Sequence, residues 1–394
     1  MNLPTDHSKA VLDGEHSHGA KVKPQSSRAD RLLSFNMDDI PIPKGLEENW
    51  RFTPIKIIKD FFADKIDDTD IKFVCDNHDK NILIEKVDRT DKRLGSVKAP
   101  GERSSVVQWN NFTYANVITV EKDAHLVDPI VVKLKGENSK LGVQHIYVNA
   151  KENSKSTIII EHTGKAYLSQ GIEINVEDGA DLTFVSTQEW DDDSVHLSDH
   201  RCKLGKDSTL KHIVITLGGK LVRITPEASF TSTGGNVQML GVYFTDSHQH
   251  QEHRLFIDHS VPKCYSRVTY KGALQGDGAH SVWIGDVLIG AEADGTDTYE
   301  LNRNLVLSQG AKADSVPNLE IENGEIEGAG HASATGRFED EQLFYLCSRG
   351  IDEPTARRLV VRGFFAELIN EIGVEQICDR LNNAIEIELE RSGE

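Results

Sequence analysis

A recurring turn constrains this chain more than any other feature. Asn153-Ser154-Lys155, Asp178-Gly179-Ala180, Asp207-Ser208-Thr209 and Gly234-Gly235-Asn236 each stand before an apolar run. Successive turns fall about 25 to 29 residues apart, a spacing typical of solenoids. The runs themselves are short and rich in β-branched and aromatic residues: Thr157-Ile158-Ile159-Ile160, Leu182-Thr183-Phe184-Val185, His212-Ile213-Val214-Ile215 and Val282-Trp283-Ile284. These are strand signals. A unit of this size cannot bury its own apolar face, so stacking on its neighbours is the natural solution. The spacing therefore predicts a mainly β chain with a parallel β-helix core over 105–345. A β-sandwich is the competing arrangement, with turn signals about 8 to 12 residues apart.

The flanks read differently. Residues 28–104 are expected to be a mostly helical region, with a short helix at Ser27 to Leu33 that Pro41-Ile42-Pro43 ends. Glu48-Asn49-Trp50-Arg51-Phe52-Thr53-Pro54 and Phe61-Phe62 supply the apolar anchors there. Residues 1–27 are polar and lack an apolar h-region, which predicts a disordered tail rather than a secretion signal. From about residue 346 to 394 the apolar period becomes helical. Asp352 is placed to cap a helix with Pro354 in its first turn. Ala356, Val360, Phe364, Leu368 and Ile372 recur along it, Gly373 interrupts, and Val374, Ile377, Leu381, Ala384, Ile385 and Leu389 mark a second helix.

Charge and cysteines exclude several functions. With 63 Asp and Glu against 44 Lys and Arg, the net charge is −19. Such a surface repels phosphate backbones, so no nucleic-acid partner is expected. No apolar run approaches the roughly 18 residues that span a bilayer, so no membrane role is expected. The five cysteines, Cys75, Cys202, Cys264, Cys347 and Cys378, are scattered and odd in number, which fits a reducing cytoplasm. Without a C-x-x-C, the chain has no local motif for a four-thiolate cluster, and no stable cofactor is expected.

Two nucleotide motifs fail. Gly218-Gly219-Lys220-Leu221 resembles the end of a P-loop, but Val214 stands where the first glycine belongs and Leu221 where the hydroxyl belongs. Gly328-Ala329-Gly330-His331-Ala332-Ser333 begins like a dinucleotide fingerprint, but Ser333 replaces the third glycine and no βαβ unit surrounds it. The densest set of metal-ligand types is His248-Gln249-His250-Gln251-Glu252-His253. It reads either as a solvated loop or, through His248, His250 and His253, as the metal site of a β-helical or cupin-like metal-dependent enzyme. His331 stands alone among small residues, which permit close approach of another backbone or a cluster.

Several blocks together resemble the SufB/SufD family of iron–sulfur cluster assembly proteins. They are His259-Ser260-Val261-Pro262 with Ser266 and Tyr270-Lys271-Gly272; Asn302-Arg303-Asn304-Leu305-Val306-Leu307-Ser308; and Ala313-Asp314-Ser315-Val316-Pro317-Asn318-Leu319-Glu320-Ile321. Gly330-His331-Ala332-Ser333-Ala334-Thr335-Gly336 and Leu343-Phe344-Tyr345-Leu346-Cys347-Ser348-Arg349-Gly350 complete the series, and Glu48 to Pro54 is similar to the family's N-terminal motif. The resemblance implies a right-handed parallel β-helix flanked by N-terminal and C-terminal helical regions. It implies a non-catalytic scaffold subunit in a complex with a SufB-type partner and two copies of the ATPase SufC, or a homodimer when isolated.

Within the family the SufD type is nearer, since the N-terminal cysteine cluster of many SufB proteins is missing. The family's Cys-x-His block has Ala329 in place of its cysteine. His331 is then implied as a transient iron ligand, with a nascent cluster shared across the subunit interface. The segment from Ser348, Arg349 and Gly350 into the helix carrying Arg358 and Phe364 is implied to dock the ATPase, making 346–394 the docking domain.

Overall fold

The computed structural model describes residues 28–77, 79–338 and 340–391, so the tail expected over 1–27 lies outside the described residues. The chain opens with helix α1 (Ile55–Ile58), strands β1 (Lys72–Cys75) and β2 (Ile82–Asp88), and helix α2 (Arg103–Asn111). Strands β3 (Tyr114–Val120), β4 (Ile130–Ala150) and β5 (Lys155–Val176) follow. Shorter strands then alternate: β6 (Asp181–Trp190), β7 (Val195–Leu204), β8 (Thr209–Thr216), β9 (Leu221–Phe230), β10 (Asn236–Thr245) and β11 (His250–His259). The series ends with β12 (Tyr265–Leu274), β13 (His280–Ile289), β14 (Asp297–Val306), β15 (Lys312–Ile321) and β16 (Gly328–Arg337).

Even-numbered strands from β6 to β16 form one parallel wall and odd-numbered strands from β7 to β15 form the other. The long β5 belongs to both, its first half paired with β6 and its second with β7. Asp181 sits beside Thr209, Thr209 beside Asn236, Asn236 beside Tyr265, and so on to Gly328. Each coil thus returns the chain to the same rung, which is a parallel β-helix. The coil lengthens along the chain: Gln170 bonds Gln144 across 26 residues, whereas Ser266 bonds Thr298 across 32.

The recurring turns have a conformational cause. Asp123, Asn153, Gly179, Asp207, Gly234, Lys263 and Gly295 all adopt positive φ, between 52° at Asp207 and 82° at Gly234. Asn, Asp and Gly tolerate that region best. The turns also stack: the Asn153 N–H donates to the Asp178 carbonyl at 3.0 Å and the Gly179 N–H to the Lys206 carbonyl at 2.8 Å. The signal in the sequence is therefore one left-handed residue at this corner of each coil.

Alternate residues of each strand point into the coil. Leu182, Phe184, Leu210, Val214, Val222, Ile224, Val237, Met239, Leu255 and Ile257 share one interior cluster. The outer faces are covered separately. Helices α4 (Glu353–Ile372) and α5 (Glu375–Arg391) lie on the outside of the even wall. There Phe365, Leu368, Ile369, Ile372, Ile377, Leu381 and Ile385 cover Val185, Ile213, Ile215, Leu240, Val242 and Phe244. Asp352 caps α4 through the Thr355 N–H at 3.0 Å, and Gly373 ends it at φ 67°. Both signals were readable. The buried stripe is broader than the expected one, because Val361 and Phe365 are buried beside the half-buried Val360 and Phe364. Helix α3 (Asp340–Ser348) starts before the expected boundary at 346.

The N-terminal region corrects the helical expectation. Between 28 and 104 it is loop and turn with two short strands, the four-residue α1 and brief 3-10 turns. Its apolar groups act as separate anchors on the odd wall, where Trp50, Ile58, Phe61 and Phe62 pack on Val195, Leu197 and Leu221. The segment after Ser27 is a turn, not a helix: Arg28 reaches Asp286 at 3.3 Å and Arg31 pairs with Glu227. Those tertiary ion pairs outweigh local helix preference.

Candidate functional site

Among the described residues nothing caps the C-terminal end of the solenoid. Strands β15 and β16 each pair with one neighbour in the described sheet, β13 and β14 respectively. Both ten-residue strands therefore present an open edge of backbone donors and acceptors. Parallel register places side chains of paired residues on the same face. Ala329, His331, Ser333 and Thr335 thus continue the interior rows of Thr298, Glu300, Asn302 and Asn304. His331 faces inward yet is exposed, because no further coil covers it. Ala329 packs on the interior cluster as a small apolar group, so no thiolate is offered there.

Beneath this end the interior is polar. The Asn302 amide donates to Tyr243 Oη at 3.0 Å and the Asn304 amide donates to Asn302 Oδ1 at 2.8 Å. Deeper, His253 bonds Thr216 at 3.0 Å, His200 bonds His212 at 3.0 Å, and His162 bonds Gln170 at 3.1 Å. Burial pushes these imidazoles down, His162 to about 4 and His212, His253 and His259 to about 3. They are neutral near pH 7. Several interior polar atoms lack a partner, Tyr270 Oη and Trp283 Nε1 among them, but Glu300 is the one fully buried carboxyl with neither oxygen hydrogen-bonded among the described residues. Burial first, and then the charge of Asp286, push its carboxyl up to about 8.

The three histidines of the cupin-like reading do not converge. His248 is exposed in a turn at φ 62°. His250 points outward beneath the N-terminal segment, where it bonds His280 at 3.2 Å and Glu252 at 3.3 Å. His253 points into the coil and stacks on Tyr243 at 5.1 Å. Strand alternation puts 250 and 253 on opposite faces, which separates the ligands. Among the described residues no group of three or more His, Cys, Asp or Glu is placed to hold a metal ion. The outward row instead forms a buried ion network. Arg223 bonds Glu252 at 3.2 Å and pairs with Glu102. Burial would raise Glu252, but Arg223 and then His250 hold it well below the usual carboxylate range.

The C-terminal residues divide in two. Ser348, Arg349 and Gly350 are exposed at the end of α3, beside Phe344 at 75% exposure and Tyr345 at 56%. The Arg349 guanidinium lies 4.9 Å from the Tyr345 ring. Phe364 faces the solenoid, with Lys271 Nζ 5.6 Å from its ring, and Arg358 bonds the Thr355 hydroxyl at 3.1 Å. The structure thus brings Ser348, Arg349 and Gly350 together but sets Phe364 against the core.

Sequence reasoning missed Glu300. A signal existed: Thr298, Glu300, Asn302 and Asn304 alternate along one strand, an unusual run of polar residues on an inner row. It could be read as inner only once the register was known.

Comparison with known proteins adds the following. The profile described as SUF system FeS cluster assembly, SufBD core domain, matches residues 132–364. A Mycobacterium bovis protein named as an iron–sulfur cluster assembly SufBD family protein is 46% identical over 371 residues, covering 92% of this chain and 94% of that one. A Mycobacterium leprae protein of the same description is 46% identical over 365 residues, covering 91% and 93%. The Plasmodium berghei iron–sulfur cluster assembly protein SufD is 26% identical over 270 residues, 68% of this chain and 19% of its own length. No helix among the described residues is long and apolar enough to cross a membrane.

Proposed function

The chain belongs to the SufBD family of iron–sulfur cluster assembly proteins, and on that premise we propose that it is the SufD-type subunit of a cluster assembly scaffold. The carrying observation is the uncapped last coil, which leaves His331 inward-facing but exposed between two open strand edges. Backbone edges of this length pair readily with another strand, so a SufB-type β-helix is the fitting partner. A second copy of this chain takes the same place when the protein is isolated.

In this reading the subunit is non-catalytic and holds no stable cofactor. Iron and the nascent cluster are its cargo. His331 supplies one imidazole nitrogen donor, and the partner supplies the others. One imidazole holds iron loosely enough for release, which suits a scaffold in a reducing cytoplasm better than a four-thiolate cage. The exposed surface of Phe344, Tyr345, Ser348, Arg349 and Gly350 suits docking of a SufC-type ATPase. Nucleotide-driven movement of the ATPase would shift one scaffold subunit against the other.

The test is co-expression with SufB-type and SufC-type chains, followed by purification and anaerobic reconstitution. A stable three-component complex is expected, and His331→Ala should leave it intact while lowering cluster yield. Purification of the chain free of both partners would refute the pairing. Full cluster yield from the His331→Ala complex would refute the role of His331.

A further inference from the structure

We propose that Glu300 and His331 are two donors to one ferrous ion, with Glu300 supplying the inner ligand at the open end of the coil. The proposal deepens the scaffold reading above and rests on it for the role of His331.

Two observations that do not depend on that role carry it. Glu300 and His331 are register partners on β14 and β16, so their side chains leave the same face on adjacent rungs. Neighbouring strands are about 4.8 Å apart, within the span that one ion bridges between a carboxylate and an imidazole. Glu300 is also the one buried carboxyl with both oxygens unpartnered among the described residues. Asn302, Asn304 and Tyr243 satisfy one another, yet among the described residues the fully buried Glu300 has no hydrogen bond on either oxygen and no basic side chain within ion-pair distance. A buried carboxylate without a partner is costly, and such a group calls for a ligand that the fold alone does not provide. A cation entering at the uncapped end meets His331 first and Glu300 beneath it.

The donor types select the ion. Ala329 removes sulfur from this part of the site, leaving one nitrogen and one carboxylate. That pair suits ferrous iron, whereas thiolates would favour a preformed cluster. Two donors leave open positions for water and for the partner's groups, consistent with loose retention.

The experiment is anaerobic calorimetric titration of the full-length chain with Fe²⁺, for wild type, Glu300→Gln, His331→Ala and the double variant. One ion per wild-type chain is expected. Each single substitution should weaken its binding about tenfold or more, and the double variant should lose little beyond the worse single one. Wild-type affinity in Glu300→Gln, with loss in His331→Ala, would overturn the role of Glu300 while leaving the scaffold reading standing. Additive losses would mean two separate sites and would also overturn it, as would a wild-type chain that binds no Fe²⁺. Failure of the scaffold reading itself would show instead as absence of the partner complex. Because Glu300 makes no hydrogen bond, the isosteric Gln should fold; Glu300→Met, of similar volume and apolar, gives a second test by the same titration.

Discussion

Glu300→Gln should stabilise the metal-free protein, and by an amount that grows with pH. The carboxyl has a reference value of 4.5 and rises to about 8 in the folded chain, chiefly through burial. Between those values the unfolded chain has lost its proton while the folded chain keeps it. Unfolding therefore releases a proton, and stability falls as pH rises through that window, levelling off above the folded value. At about 1.4 kcal/mol per pH unit, the cost is near zero at pH 4.5, about 3 kcal/mol at pH 7 and about 5 kcal/mol above pH 8. Gln has no such linkage. Urea unfolding of both proteins at pH 5, 7 and 8.5 gives the difference directly, and other titrating groups cancel in it. The expected difference widens in that order. Parallel stabilities at all three values would refute the reasoning, since they would mean that Glu300 ionises in the folded chain as it does in water.

Other outcomes follow from neighbouring features. The buried neutral imidazoles act in the opposite sense: with His162 near 4 and His253 near 3, the unfolded state takes protons first below about pH 6.5. Stability should fall as pH drops from 6.5 toward 4, and His253→Asn should soften that fall in an acid titration followed by circular dichroism. Arg223→Met leaves the buried Glu102 and Glu252 without their shared cation and should cost about 3 to 5 kcal/mol in urea unfolding. Gly241→Ala puts a Cβ into the Tyr270 ring and should cost about 1 to 3 kcal/mol. Gly336→Ala, where nothing lies within 4 Å, should stay within about 0.5 kcal/mol. A pull-down with Phe344→Ala/Arg349→Ala should lose the ATPase while the unfolding midpoint stays put. Deleting 352–394 is a poorer test, because it bares Val185, Ile213, Leu240 and Phe244.

The sequence by itself determined the repeat and much of the C-terminal cap. The same corner of each coil needs a residue at positive φ, so Asn153, Asp178-Gly179, Asp207 and Gly234 mark the period in the text of the chain. Asp352 and Gly373 bound their helix by local capping chemistry, which is also written in consecutive residues. The blocks around Asn302, Pro317 and His331 were enough to reach the family. Tertiary structure decided the rest, because it depends on partners far apart in sequence. The stretch 28–104 carries helix-like fragments, but Arg28, Arg31 and Trp50 find their partners on the odd wall, far away in sequence, and the helix expected from Ser27 to Leu33 does not form. His250 and His253 look like co-ligands in one dimension and lie on opposite faces of a strand in three. The reverse holds for Glu300 and His331, 31 positions apart in the chain and one rung apart in the fold, because a coil of that length is the vector that brings an inner row back upon itself.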